Sequence, residues 1–492
     1  MQVSIRRVTE YLRCYANEST VPQFCQTGTR TFLVDRMAVH HSIYLGQGVY
    51  HCLELMQIRR FSRFCSFPLS TMQVLHVVCL LVALGLSAAI LPKSVDYSGH
   101  KVVSVLPKSE KGLRTLENFE RQGTIKYWIH PAGLNRPASF QISASDFELV
   151  SNVLAEQASS PIVLIDNIQE LIEKQNKEIL ERQLENANSK AFDFENFHTY
   201  SELLAFMQET AANNPLVSYS VIGQSYEGRD IGQATVRTGS AGVKQIIFLE
   251  CGIHAREWIT ESTCIWIFDQ LANGYGVDAE ITALVDKFDW IIVPTSNPDG
   301  YEYSWASDRL WRKNRALTDN ALCPGVDLNR NYDANFGGDG SSPLPCSETY
   351  HGVSAFSESE AAAIRDSLAA NRGFVKAFVS VHSYGGIWMS PYGYIRELPL
   401  EYDEMYRVMA IGAEAITATY GTPFEYANEA AILYLTSGTT RDYAYVGGDN
   451  IIYAYTIETR GKAYGFVPPP SEILETAIET WNGIKAMANN LL

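Results

Sequence analysis

Gln245-Ile-Ile-Phe-Leu-Glu250 runs directly into Cys251-Gly-Ile-His254-Ala-Arg256-Glu257-Trp258. The first six residues read as a buried strand, because an apolar run of this length flanked by a Gly fits a sheet interior. At its end a histidine and a glutamate stand three apart. Residues at i and i+3 fall on one face of a helical turn. An imidazole nitrogen and a carboxylate can therefore converge just past a strand's carboxyl end, which makes a two-ligand fragment of a zinc site. Taken alone, the pair is common, and a surface hydrogen bond would account for it equally well.

Working outward, similar apolar runs recur at 289–293 (DWIIV), 377–381 (AFVSV) and 451–457 (IIYAYTI), with helical patterns between them at 359–370 and 402–420. This alternation predicts an α/β unit over 191–492, a mixed central sheet with helices on both faces. Its last helix is expected after Pro468-Pro-Pro470, with Ser471 as N-cap, Glu472 in the first turn and Leu474, Ile478, Trp481 and Ile484 as the buried stripe. Upstream, residues 96–190 alternate strand and helix patterns in the order βαββαβ, which predicts a small ferredoxin-like α+β unit. A charge-rich connecting helix follows from about 169 to 187, and Arg182 and Lys190 are exposed basic residues where a trypsin-like protease could cut.

The N-terminal quarter reads differently. Residues 74–91 (VLHVVCLLVALGLSAAIL) are almost wholly apolar and approach their end through Ser87-Ala-Ala89, with Met72 just ahead. A secretory signal over 72–89 is the expectation, with 1–71 an upstream extension that is translated only if the chain starts at Met1. The competing reading is an internal membrane anchor, since 18 apolar residues are about the minimum for a span. The sequon at Asn17 lies in that extension. Two units follow the apolar run, one over 90–190 with its connecting helix and one over 191–492. Of nine cysteines, four fall in the extension, one in the apolar run, and Cys251, Cys264, Cys323 and Cys346 in the last unit. Four is an even number, compatible with two disulfides in an oxidising compartment or with four buried thiols. The 492 residues are 46% apolar and 19% charged, which excludes a disordered chain. A net charge of −16 argues against nucleic acid as a partner.

Catalytic zinc wants three protein ligands, usually His and Glu, and one open position. A second histidine ends the 377–381 run, His382-Ser383-Tyr384. A further run ends in Thr456-Ile-Glu458, and a carboxylate delivered there without serving as a ligand would suit a general base. Strand ends of an open α/β sheet gather into one crevice. Each of these residues alone also has an ordinary reading, a core histidine or a strand-end ion pair. Arg309-Leu-Trp311-Arg312-Lys313-Asn314-Arg315 places three arginines around an aromatic anchor, and Asp327-Leu-Asn329-Arg330-Asn331 sets an amide beside a guanidinium, which suits recognition of a carboxylate.

With Cys346-Ser-Glu-Thr-Tyr-His351-Gly352, these motifs occur in one order, and together the chain resembles the pancreatic-type zinc metallocarboxypeptidases, the A/B subfamily. The resemblance covers nearly all of 191–492, and the family's ferredoxin-like propeptide matches 96–190. It implies a secreted, extracellular zymogen and a monomer, with the propeptide as inhibitor, a trypsin-like activator and one Zn2+ per catalytic domain. It implies zinc on His254, Glu257 and His382, Glu458 as base and proton shuttle, and Arg312 against the scissile carbonyl. Asn329 and Arg330 would hold the terminal carboxylate of a peptide or protein C-terminus. Arg256 and Tyr384 would serve neighbouring subsites, and Tyr434 would close over the bound end. Cys323–Cys346 and Cys251–Cys264 match disulfides of the family, and Ser383-Tyr384 and Pro391-Tyr392 match its cis peptide bonds.

One position departs from the familiar pattern. Seven residues after Tyr434, where the resemblance puts the floor of the pocket for the terminal side chain, stands Arg441. An apolar residue there suits apolar C-termini and an Asp suits Lys or Arg. A guanidinium is expected to favour Glu or Asp by a charge-assisted hydrogen bond of about 1.5–3 kcal/mol. The alternatives are that Arg441 pairs with a local carboxylate such as Asp442, leaving A-type specificity for apolar ends, or that the chain is a non-catalytic binding protein on this fold.

Overall fold

The patterns at 101–165 become a four-stranded antiparallel sheet with two helices in the computed structural model, which describes residues 94–492 apart from 158–159, 190, 240–243 and 448–449. The elements are β1 (Lys101–Val105), α1 (Glu110–Arg121), β2 (Ile125–Ile129), β3 (Ala138–Ile142), α2 (Phe147–Gln157) and β4 (Ile162–Ile165), with strand order β2-β3-β1-β4. This is the predicted ferredoxin-like unit. Helix α1 starts where the Ser109 side chain accepts a hydrogen bond from the Gly112 N–H, satisfying one of the free amides of the first turn. Val103, Val105, Leu116, Phe140, Val150 and Leu154 fill the layer between sheet and helices.

Helix α3 (Ile168–Glu185) then buries Ile168, Ile172, Gln175 and Ile179, a stripe at spacings of three and four. That stripe faces the larger unit. Ile168 and Ile172 cluster with Tyr97, Trp128, Leu310, Phe466 and Val467. Gln175 donates to the Pro468 carbonyl at 2.5 Å and accepts from Arg309 Nε at 2.8 Å. Pro92–Leu492 accordingly form one compact unit.

The larger part contains α4 (Tyr200–Asn213), β5 (Val217–Gln224), β6 (Asp230–Val236), β7 (Gln245–Cys251), α5 (Trp258–Gly274), α6 (Ala279–Lys287), β8 (Phe288–Val293) and α7 (Pro298–Ala306). A 3-10 turn at Leu328–Arg330 follows, then α8 (Ser359–Ala370), β9 (Val375–His382), β10 (Ile387–Ser390), α9 (Tyr402–Tyr420) and β11 (Glu425–Asn428). The chain ends with α10 (Glu429–Ile432), α11 (Thr440–Val446), β12 (Tyr453–Glu458) and α12 (Glu472–Asn489). The eight strands run in the order β11-β10-β12-β9-β7-β8-β6-β5. The central four, β12-β9-β7-β8, are parallel, and antiparallel neighbours flank them, so the sheet is mixed. Ile246–Leu249 and Ala377–Val381 are buried without alternation, as strands covered on both faces must be. Each fully buried Ile, Leu or Phe contributes about 1.5–3 kcal/mol.

Register is what positions the site. It sets Cys251 beside Val381 and Glu458 beside His382, so β7, β9 and β12 end at one level. The four strands expected from apolar runs are all present, each a residue or more longer or shifted. The flanking strands β5, β6, β10 and β11 were not anticipated: β5 and β11 are largely exposed or half-buried, and β6 and β10, though mostly buried, are broken by Gly, Gln and Thr or are only four residues long, so none carries a continuous apolar run. The C-terminal helix corrects two expectations. Ser471 precedes α12 with helical dihedrals and makes no capping bond. The buried face is Ile473, Ala477, Trp481, Ile484 and Met487, with Leu474 and Ile478 only half-buried. Packing against α9 rotates the helix: a Cβ on Gly483 would lie 2.6 Å from Ile416 of α9, while Trp481 meets Trp290 of β8.

The two disulfides implied by the resemblance, Cys251–Cys264 and Cys323–Cys346, are both formed, and the Ser383-Tyr384 and Pro391-Tyr392 peptides are cis. The apolar run at 74–91, the extension with Asn17, and Lys190 lie outside the described residues. Among the described residues no helix is long and apolar enough to cross a membrane.

Candidate active site

His254 sits in the loop after β7, Glu257 caps α5, and His382 ends β9. All three are buried and bring their ligating atoms within 4.8 Å of one another; among the described residues no other such His/Cys/Asp/Glu group occurs. His254 Nδ1 lies 2.9 Å from Glu257 Oε1 and 3.2 Å from His382 Nδ1, and His382 Nδ1 lies 3.3 Å from Glu257 Oε2. The far nitrogens have partners of their own. His254 Nε2 faces Asp327 Oδ1 at 3.2 Å, a carboxylate that can only accept while it is ionised. His382 Nε2 faces Ser380 Oγ at 3.0 Å, and that hydroxyl donates to Glu250 Oε2 at 2.8 Å. Both rings are therefore protonated on Nε2, and their Nδ1 lone pairs point at each other and at a carboxylate. A single cation bound between them would satisfy all three groups at once. Two imidazoles and one carboxylate with an open cavity beside them are a donor set for catalytic zinc.

Charge around the group is consistent with this. Burial by itself would raise Glu257, but the two histidines hold its carboxyl well below the usual range. Asp327 is depressed too: burial is outweighed by Arg312, then His254 and Arg330. Arg312 donates to Asp327 Oδ2 from Nη2 at 2.9 Å and from Nε at 3.2 Å. Asp327 thus orients both a ligand and the guanidinium. It stood inside the Asp327-Leu-Asn329-Arg330 motif but had received no role, because nothing local links it to His254.

A cavity of about 460 Å3 opens onto this group. It is lined by Glu458, Arg312, Asn329, Arg330, Tyr384, Tyr434 and Arg441 as well as the three ligand residues. Glu458, at the end of β12, has a carboxyl pushed up to about 7 by burial, with His382 opposing and Glu257 adding to the rise. Asn329 Oδ1 accepts from the Thr440 N–H at 3.0 Å. Arg330 is held by the Gly340 carbonyl at 2.8 Å and the Asn329 carbonyl at 2.7 Å. Arg256 is the exception among the expected substrate residues: it is not in the cavity wall. It points to Glu348 Oε2 at 3.5 Å and lies 4.0 Å over the Phe466 ring. The Arg309–Arg315 stretch is no solvated loop either. Arg309 is buried 3.8 Å over Trp258, and Arg315 packs on Tyr303 and Trp311. A wider groove of about 940 Å3 between the end of α3 and α4 is remote from this chemistry.

The small N-terminal unit forms the cavity's roof. Trp128 of β2 meets Tyr384 and Phe466 at ring distances of 6.2 and 5.0 Å. Gly465, at φ +57°, makes room for that indole, because a Cβ there would run into it. The His130 ring lies 5.1 Å from Tyr434. Burial and then the charges of Arg330, Arg312 and Arg256 push His130 down to about 3, so its imidazole is neutral. Arg136 reaches the Ala431 and Ile432 carbonyls of α10 at 3.5 Å.

Comparison with known proteins agrees with this geometry. The family described as Zinc carboxypeptidase matches residues 203–483, and Carboxypeptidase activation peptide matches 103–175. The chain is 36% identical over 399 residues to Carboxypeptidase A2 of Rattus norvegicus, covering 80% of this chain and 94% of that one. It is 34% identical over 401 residues to Carboxypeptidase A1 of Bos taurus, covering 81% and 95%. Among solved structures, Carboxypeptidase A from Helicoverpa armigera superposes with a TM-score of 0.73 at 30% identity over 80% of this chain and 97% of that one. Thrombin activatable fibrinolysis inhibitor gives 0.72 at 30% identity over 80% and 99%. The chain belongs to the zinc carboxypeptidase family of peptide hydrolases, with an activation peptide ahead of the enzyme.

Proposed function

We propose that this zymogen is exported behind a signal at 72–89 and, once activated, removes C-terminal Glu or Asp from peptides. His254, Glu257 and His382 would hold the zinc. Zinc there supplies a Lewis acid that makes water nucleophilic near neutral pH and draws charge from a carbonyl. Glu458 takes the proton of the attacking water on its carboxylate and returns it to the leaving amine. Arg312 faces the carbonyl oxygen as it gains charge, and Asp327 holds that guanidinium in place. Arg330 and Asn329 clamp the terminal carboxylate, which makes the enzyme an exopeptidase, and Tyr434 closes over it. Tyr384 borders the neighbouring subsite, whereas Arg256 lies over the ring of Phe466, a residue of the cavity wall.

The observation that carries the acidic preference is Arg441, a guanidinium in the wall of a cavity it shares with Arg330 and the zinc ligands. A second reading, A-type specificity for apolar ends, is favoured by the pairing of Arg441 with Asp442 and Glu429 and by Ile387 and Met389 in the same wall. The test is kcat/KM of the activated enzyme on matched peptides ending in Glu, Phe and Lys. Glu is expected to lead and Lys to trail. Equal rates for Glu and Phe would remove the acidic reading. Arg441→Asp is expected to move the preference towards Lys.

A further inference from the structure

Arg441 does not face its pocket empty-handed. Its Nε and Nη2 both donate to Asp442 Oδ1, at 3.0 and 2.8 Å, and its Nη1 is ion-paired to Glu429 Oε2. The two carboxylates are not equivalent. Asp442 is fully buried, and its other oxygen accepts the Gly393 N–H at 2.8 Å. Glu429 is the first residue of the four-residue α10, holds Arg441 through one oxygen, and keeps 9% of its side chain exposed against 1% for Arg441. Both Glu429 and Arg441 line the cavity, and Asp442 does not. Beside the pair, Thr436 Oγ1 is buried with no protein partner. Position 393 must be Gly: a Cβ would sit 2.6 Å from both Arg441 Nη2 and Glu429 Oε2 and would crowd Thr436 Oγ1. Two carboxylates and one guanidinium leave this floor with a formal charge of −1. An incoming acidic side chain is repelled there unless one resident carboxylate gives way, and only Glu429 is placed to do so.

We propose that Glu429 is a specificity-determining residue, a resident carboxylate that holds the Nη1 edge of Arg441 until the side chain of a C-terminal Glu or Asp replaces it. This rests on the acidic reading of the Arg441 pocket and adds what that reading lacks, a cation whose charge is already compensated before substrate arrives. The incoming carboxylate takes over Arg441 Nη1 and finds a second donor in the Thr436 hydroxyl. Glu429, which lines the cavity, swings away from Arg441 into it. The exchange swaps one ion pair for another, so Glu429 subtracts from the selectivity that an unpaired Arg441 would confer.

The experiment measures kcat/KM of the activated enzyme on peptides ending in Glu and in Phe, for wild type, Glu429→Gln, Glu429→Ala and Arg441→Leu. Glu429→Gln keeps the volume and an acceptor oxygen while removing the competing charge. The Glu-to-Phe ratio is expected to rise at least about tenfold in Glu429→Gln, mostly through a lower KM for the Glu peptide, as expected of a binding effect. Glu429→Ala should move it in the same direction. A ratio unchanged or lowered in both variants overturns the proposal; a lowered ratio would mean that Glu429 only positions Arg441. The two readings fail separately. If wild type cleaves the Glu peptide no faster than the Phe peptide, the acidic reading falls. If wild type prefers Glu and neither Glu429 variant shifts the ratio, the Glu429 proposal alone falls.

Discussion

As the proposed general base, Glu458 is the residue whose environment is expected to bear most directly on rate. Its carboxyl ends β12 within a buried cluster, and burial together with Glu257 pushes it up to about 7. A zinc cation in the neighbouring site pulls it back, so its operating value is expected between the ordinary carboxylate range and 7. A base must be ionised to accept a proton. The kcat/KM is therefore expected to rise with pH through that window and to fall about tenfold per pH unit below it. Glu458→Gln should lower kcat by about 100- to 10,000-fold while zinc content, measured by metal analysis, stays at one per chain. A loss of zinc in that variant would instead make Glu458 a ligand. The same scale holds the limits of reading a sequence. His254, Glu257 and His382 were legible because they stand at strand ends in a recognisable order. Asp327's double duty and Glu429's grip on Arg441 were not. Each is a through-space contact, over 73 residues in the first case.

At the scale of elements, α3 limits where the proposed activating cut is expected. Of the two candidate basic residues, Arg182 lies in the last turn of that helix. Its Nη2 pairs with Asp193 at 3.2 Å and Glu195 at 2.8 Å, and these partners hold its charge firmly. A protease needs an extended, released backbone, and a hydrogen-bonded helical turn does not offer one. N-terminal sequencing of the trypsin-activated product is expected to begin beyond residue 185, leaving Arg182 with the propeptide. A product starting at Gln183 would contradict this. The helix itself was visible as a polar run of good helix formers. Its buried face was not foreseen, because the stripe Ile168, Ile172, Gln175 and Ile179 includes a glutamine. Gln175 becomes interior only by meeting Arg309 and the Pro468 carbonyl. A buried amide with both ends satisfied is tolerated where an unpaired one would not be.

For the whole molecule, the ligand set ties two distant pieces of chain, the turn carrying His254 and Glu257 and the end of the strand carrying His382, to one point, so metal and fold are linked. A ligand that binds only the folded state stabilises it by about 4 kcal/mol at a thousand times its Kd. Chelation is expected to lower the Tm of the intact proenzyme by several degrees, and added zinc to restore it. In His254→Ala the chelator should have far less effect. A Tm indifferent to chelation in the wild type would mean that the site is empty or dispensable for stability.

The amino-acid sequence by itself determined the α/β class, the ferredoxin-like unit ahead of it, the zinc chemistry and the candidates that the fold gathers around one cavity. Those features are encoded in local patterns and in the order of short motifs, which survive without coordinates. Tertiary structure alone decided the flanking strands, the rotation of α12, the displacement of Arg256 from the cavity wall and the pairing of Arg441 with both Asp442 and Glu429. These depend on which surfaces meet and on which carboxylate reaches a guanidinium first, and such outcomes are set by packing between segments far apart in the chain.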